Sequence, residues 1–92
     1  MARNKATQEW ASYAQDLGLA IQRHRHAVGL TQEQVAYSAG LTRSHYQQLE
    51  KGLSSRNVPA NPSLITLVAL AQVLKIDVSE LLPSGAPDIT TK

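Results

Sequence analysis

An all-α domain of five helices is the fold class this sequence predicts, on three observations. Apolar residues recur at three- and four-residue steps along the N-terminal part, the pattern of a helix with one buried face. Thr31 and Thr42 then open two helices in quick succession, with Gly40 between them. Leu64 to Leu74 is almost wholly apolar, Thr66 and Gln72 being its polar members.

Residues 1–6 read as a flexible basic leader. From Thr7 to Ala27 nothing except Gly18 breaks a helix. Trp10, Tyr13, Leu17, Ile21, His24 and Val28 make one apolar stripe along it, bent or interrupted at Gly18, and Val28-Gly29 ends it. The second helix covers about 32–39, where Thr31 caps the start and Gln34, three residues on, completes a capping box. Gly40 stands where a helix ends with positive φ, which glycine adopts without steric cost. Thr42 caps a third helix at about 43–50. Only Ala39-Gly40-Leu41 separate the pair, so they cross steeply as a helix-turn-helix over about 31–50. Ala36, a small residue, lets the third helix lie close across the second. Arg43, Ser44, Gln47 and Gln48 form a polar outer face on the third helix, opposite Tyr46 and Leu49. These side-chain types hydrogen-bond base edges in the major groove; a plain αα-hairpin with a solvated face is the bland alternative.

Residues 52–62 form a loop on composition alone. The fourth helix, from Ser63 or Leu64 to Leu74, turns Leu64, Leu67, Leu70, Ala71 and Leu74 one way and Ile65, Ala69 and Val73 another. A helix apolar over most of its circumference expects burial on two sides, the second against the N-terminal extension, a fifth helix or another subunit. The fifth helix is short: Asp77 and Glu80 fit a capping pattern, Leu81-Leu82 anchor it and Pro83 stops it. The folded unit thus spans residues 7–82, and 83–92 is a flexible tail.

A length of 92 residues with 42% apolar and 17% charged side chains excludes disordered and membrane-embedded classes, and points to one domain with a modest core. Without Cys there is neither a disulfide nor a thiolate metal site, in keeping with a reducing cytoplasm. The N-terminus lacks the apolar stretch of a secretion signal, and the longest apolar run, Leu67 to Ala71, is far too short for a bilayer. A cytoplasmic protein without membrane contact is expected. The net charge of +2 is uneven: residues 17–60 carry Arg23, Arg25, Arg43, Lys51 and Arg56 against Glu33 and Glu50. The segment 61–92 is acidic by one charge and 1–16 is neutral. Positive charge therefore collects around the two short helices, as a polyanion-binding surface requires.

Other chemistry finds little support. His24 and His26, two apart on a helix, do not face the same way, and no Cys joins them or His45, so no metal is expected. No Gly-rich phosphate loop, nucleophile elbow or carboxylate pair suggests an enzyme or a cofactor. Trp10 and Tyr13 continue the apolar stripe, so they belong to core or interface packing before any stacking platform for single strands.

Leu17-Gly18, Ile21, Arg25, Gly29-Leu30-Thr31-Gln32, Val35-Ala36, Gly40-Leu41, Leu49-Glu50-Lys51-Gly52, Pro62-Ser63-Leu64, Leu67, Ala71 and Leu74 together resemble the Cro/lambda-repressor (Xre-type) helix-turn-helix family over residues 17–82. The resemblance implies the five-helix lambda-repressor-like fold, to which this sequence adds an N-terminally extended first helix, with Trp10 and Tyr13 outside the family core. It implies a structural ion pair between Arg25 and Glu50, which would orient the third helix more than stabilise the fold. It places Thr42, Arg43, Ser44, Gln47 and Gln48 against bases, and Gln32 against a phosphate at a helix start. His45, Lys51 and Arg56 are expected on phosphates beside them. Three departures stand out. His24 replaces a usual leucine, putting an imidazole in need of a partner into the core. Tyr46 replaces a smaller residue, so that either the third helix sits further out or the hydroxyl reaches the surface. The 53–61 loop is longer than usual.

The function expected is that of a transcriptional regulator, most simply a repressor, binding a palindromic site on double-stranded DNA as a homodimer. Ile65, Val73, Leu81, Leu82 and Trp10 are the expected dimer interface. The alternatives are an antitoxin masking a toxin, a protein-interaction adaptor of the same fold, or a restriction-modification control protein.

Overall fold

In a computed structural model that describes residues 4–90, the longest element is α1 (Asn4–Val28), 25 residues and therefore about 37 Å at 1.5 Å per residue. That is nearly the 41 Å long axis of the molecule. The helix starts within the segment expected to be a leader; residues 1–3 and 91–92 lie outside the described residues. It also runs without interruption through Gly18, where a bend or an interruption was expected. Gly18 serves close approach instead: a Cβ there would sit 2.5 Å from the Glu50 carbonyl oxygen and 2.7 Å from that of Leu49.

Thr31 caps α2 (Gln32–Ser38) through the full box: its Oγ1 accepts the Gln34 amide at 3.1 Å, and its own amide donates to Gln34 Oε1 at 2.8 Å. Gly40, at φ 75°, turns the chain, and Leu41 donates back to the Ala36 carbonyl at 2.8 Å. Then α3 (Arg43–Glu50) begins at Thr42, whose hydroxyl accepts the His45 amide at 3.0 Å. The next segment, expected as a loop, is a small antiparallel hairpin of β1 (Leu53–Ser55) and β2 (Val58–Pro59). Its turn holds Arg56 and Asn57, with Asn57 at φ 57°, a left-handed conformation that asparagine tolerates better than most residues.

Ser63 caps α4 (Leu64–Leu74). The predicted fifth helix is only a 3-10 turn, Val78–Glu80, in which the Asp77 amide donates to the Glu80 carboxylate at 3.1 Å. Pro83 two residues after Leu81 leaves no room for a longer helix. The core gathers Leu17, Ile21, Val35, Tyr46, Leu49, Leu70, Leu74 and Leu81 from all these segments, with small Ala14, Ala36, Ala60 and Ala71 between them. Leu64, expected on the inward face of α4, is 70% exposed because it stands at the N-terminal end, beyond the elements that α4 packs on. No helix among the described residues is long and apolar enough to cross a membrane.

Candidate nucleic-acid interface

The site is built on the outer face of α3 and fixed from behind by Glu50. Arg25 of α1 reaches this carboxylate in a bidentate pair, Nε to Oε2 at 2.6 Å and Nη2 to Oε1 at 3.3 Å. The Tyr46 hydroxyl donates to Oε2 at 2.6 Å, and the Gln32 side-chain Nε2 of α2 donates to Oε1 at 2.8 Å. One carboxylate thus ties α3 to α1 and to α2. Burial alone would raise the Glu50 carboxyl pKa, but the donors from Arg25, Tyr46 and Gln32 outweigh it and hold it below its ordinary value. The Glu50 hydrogen bond raises Arg25 in turn, and burial followed by that same carboxylate pushes Tyr46 well above the ordinary phenol range. Charged Arg25 and Glu50 with a neutral, donating Tyr46 is the state these shifts favour.

Contrary to one of the two expectations for Tyr46, its hydroxyl does not reach the surface. Its ring is fully buried and its hydroxyl points inward, because Glu50 lies one turn further along the same helix and offers an acceptor there. The signal was present in the sequence as an i, i+4 spacing of a donor and a carboxylate. His24 is only half-buried, so it does not stand in the core, where it was expected.

On the opposite side of α3, Thr42, Arg43, Ser44 and His45 are exposed, Gln47 and Gln48 are half-buried, and Lys51 follows exposed at the end of the helix. Thr42 already uses its hydroxyl oxygen as the cap, leaving the O–H to donate. Gln32, expected on a phosphate, uses one amide N–H on Glu50 and accepts from Gln47 Nε2 at 3.4 Å. Its second N–H is what it can offer an anion. Gln32 and Arg43 line the same open depression between the starts of α2 and α3. Arg56 stands exposed at the hairpin turn.

The helix-turn-helix family matches residues 21–81 of the sequence. The chain belongs to this Xre-type family of DNA-binding transcription regulators. Among solved structures, it is similar to the restriction-modification controller protein C.AhdI from Aeromonas hydrophila, 33% identical over 75% of this chain and 96% of that one, with a TM-score of 0.66. It is also similar to SinR, a master regulator for biofilm formation, in complex with DNA, at 31% identity over 71% of this chain and 98% of that one, TM-score 0.59. A third likeness is to the SinR–SinI protein complex, at 29% identity over 74% of this chain and 61% of that one, TM-score 0.62. No curated protein sequence matches it.

The residues expected at a dimer interface do not form one set. Leu81 is fully buried in the core of its own chain, where the 3-10 turn packs on α4. Trp10 turns inward: its indole N–H donates to the Ala60 carbonyl at 2.8 Å, and its ring lies 5.3 Å from that of Tyr13. Tyr13 in turn donates to the Pro83 carbonyl at 2.8 Å. Val73 is half-buried against the core. Ile65, 82% exposed, and Leu82, 45% exposed, are the members that face solvent, with Leu64 and Val68 beside Ile65 on α4.

Proposed function

We propose that this regulator is a sequence-specific repressor that reads a palindromic operator on double-stranded DNA as a homodimer. The observation that carries this is the division of α3 into two faces. Glu50, Tyr46 and Leu49 hold one face rigidly, while Arg43, Ser44, Gln47 and Gln48 present donors and acceptors on the other. A side-chain set fixed from behind is what base reading needs, since hydrogen bonds to base edges tolerate little error in position. Thr42 and Arg43 would meet bases first, Gln32, His45, Lys51 and Arg56 the phosphates.

One short recognition helix reads only a few base pairs, so two copies are required for a specific site, their half-sites about 34 Å apart. The exposed Ile65 and Leu82 support an interface formed by α4 and the C-terminal turn. Such a protein works where DNA is reached, in the cytoplasm of a bacterium or within a phage-infected cell. The likeness to a restriction-modification controller over nearly its whole length favours a second reading, in which the regulated genes encode a restriction-modification system.

Arg43→Ala tests the assignment. A bidentate arginine contact to guanine contributes about 1–3 kcal/mol of discrimination, so the variant should relax preference at one base pair per half-site while its helical spectrum stays unchanged. Equal losses of affinity for specific and random DNA would exclude Arg43 as a base reader.

A further inference from the structure

Trp10 lies outside the residues matched by the family, and the hairpin replaces a shorter loop in the resemblance; the two meet at Ala60. Both ends of the hairpin are fastened to α1. Gly52, leading into β1, accepts the Ala60 amide at 2.8 Å, and a Cβ on it would sit 2.7 Å from the Gln15 Cα. Ala60, leaving β2, is 1% exposed, and its carbonyl accepts the Trp10 indole N–H. Trp10 and Gln15 are little more than one turn apart on α1, so a single continuous helix grips both ends.

Beyond that base, Ser54, Ser55, Arg56, Asn57 and Val58 are all exposed. The hairpin packs on α3 through β1, so the grip of α1 sets where Arg56 stands relative to the recognition helix. Strands rise about 3.3 Å per residue, which puts the turn roughly 10 Å from the base. A small rotation at the base is therefore magnified at the tip, whereas a hydrogen bond to a phosphate tolerates a spread of only about 0.5 Å in length.

We propose that Trp10 is a positioning residue for DNA binding: through the Ala60 carbonyl it aims the hairpin, so that Arg56 reaches a phosphate beside the groove that α3 enters. The inference rests on the reading of the protein as a duplex-DNA binder. It makes the N-terminal part of α1 a component of the DNA-binding apparatus rather than an appendage.

Trp10→Phe keeps an aromatic ring and deletes the donor. Phosphate contacts are independent of sequence, so affinity of the whole chain for a short random-sequence duplex, measured across salt concentrations, is the readout. Each lost contact lowers the slope of log K against log salt by about 0.9. Arg56→Ala should lower it by that amount per protomer, Trp10→Phe by a similar amount with native helicity retained, and the double variant by no more than either. A wild-type slope in Trp10→Phe or in Arg56→Ala, or losses that add in the double variant, would overturn the proposal. If Trp10→Phe does not fold, the indole N–H resonance of wild-type Trp10, the one tryptophan of the chain, decides. It should shift on adding the duplex to wild type and not to Arg56→Ala, and no shift in wild type overturns the proposal. Duplex binding that persists alongside a negative result sinks this inference alone; no duplex binding by the wild type sinks the DNA-binding reading with it.

Discussion

Glu50 is the residue on which the orientation of α3 depends, since it accepts from Arg25, Gln32 and Tyr46 while its side chain and that of Arg25 are only 4% and 10% exposed. Removing its charge strands the guanidinium, and breaking a buried pair in this way costs about 3–5 kcal/mol. For a small domain whose whole stability is about 5–15 kcal/mol, Glu50→Gln should lower the urea midpoint sharply. The loss is also expected to depend on pH. The folded carboxyl holds its proton less tightly than the unfolded one, so its contribution is fully present above the ordinary carboxyl value of 4.5 and falls away as the pH drops toward the lower folded value. Denaturant titrations of wild type and variant should therefore converge in acid; a gap that stays constant down to pH ~3 would contradict the role given to Glu50, since linkage to a depressed carboxylate must appear there. The positions of Arg25 and Glu50 were legible in the sequence through a family likeness. The added donors were legible only in part: the i, i+4 spacing brings Tyr46 within reach of Glu50, but Tyr46 and Gln32 can turn toward it or toward solvent, and packing decides which.

Between elements, two glycines with the same backbone conformation do different work. A Cβ added to Gly40, at φ 75°, would meet nothing within 4 Å, whereas one on Gly52, at φ 79°, would press to 2.7 Å of the Gln15 Cα and 2.8 Å of its amide nitrogen. Gly40→Ala should therefore cost only the left-handed backbone, about 1–2 kcal/mol. Gly52→Ala should cost that plus overpacking of a backbone-to-backbone contact, roughly 1–3 kcal/mol more. Equal unfolding free energies for the two variants would show that α1 does not clamp the hairpin as described. The two short helices and their caps were readable residue by residue, since Thr31 and Thr42 act locally. The hairpin was not: strands of three and two residues leave no periodicity to read, and Pro59 and Asn57 look like loop residues. Gly18 likewise reads as a helix breaker in one dimension and as a notch for the end of α3 in three.

As a whole, the molecule offers the polar outer face of α3 and a separate exposed apolar patch on α4, and the proposed function needs both. Leu64, Ile65 and Val68, neighbours on α4, are 70%, 82% and 38% exposed, and contiguous exposed apolar side chains mark interaction surfaces. Sedimentation at micromolar concentration should show a species of about twice the 10.0 kDa chain mass, reduced to one chain by Ile65→Asp without loss of helicity. Of the residues the sequence assigned to such a surface, Ile65 and Leu82 face solvent, whereas Leu81 and Trp10 are drawn into their own chain by contacts with distant segments. Selection of bound duplexes from random DNA is the sharpest test of sequence-specific reading by a symmetric dimer. Enrichment of an inverted repeat whose half-sites lie about 34 Å, one helical turn, apart is expected, with the preference at one position of each half-site lost in Arg43→Ala. Recovery of a pool no different from the starting DNA would contradict such reading.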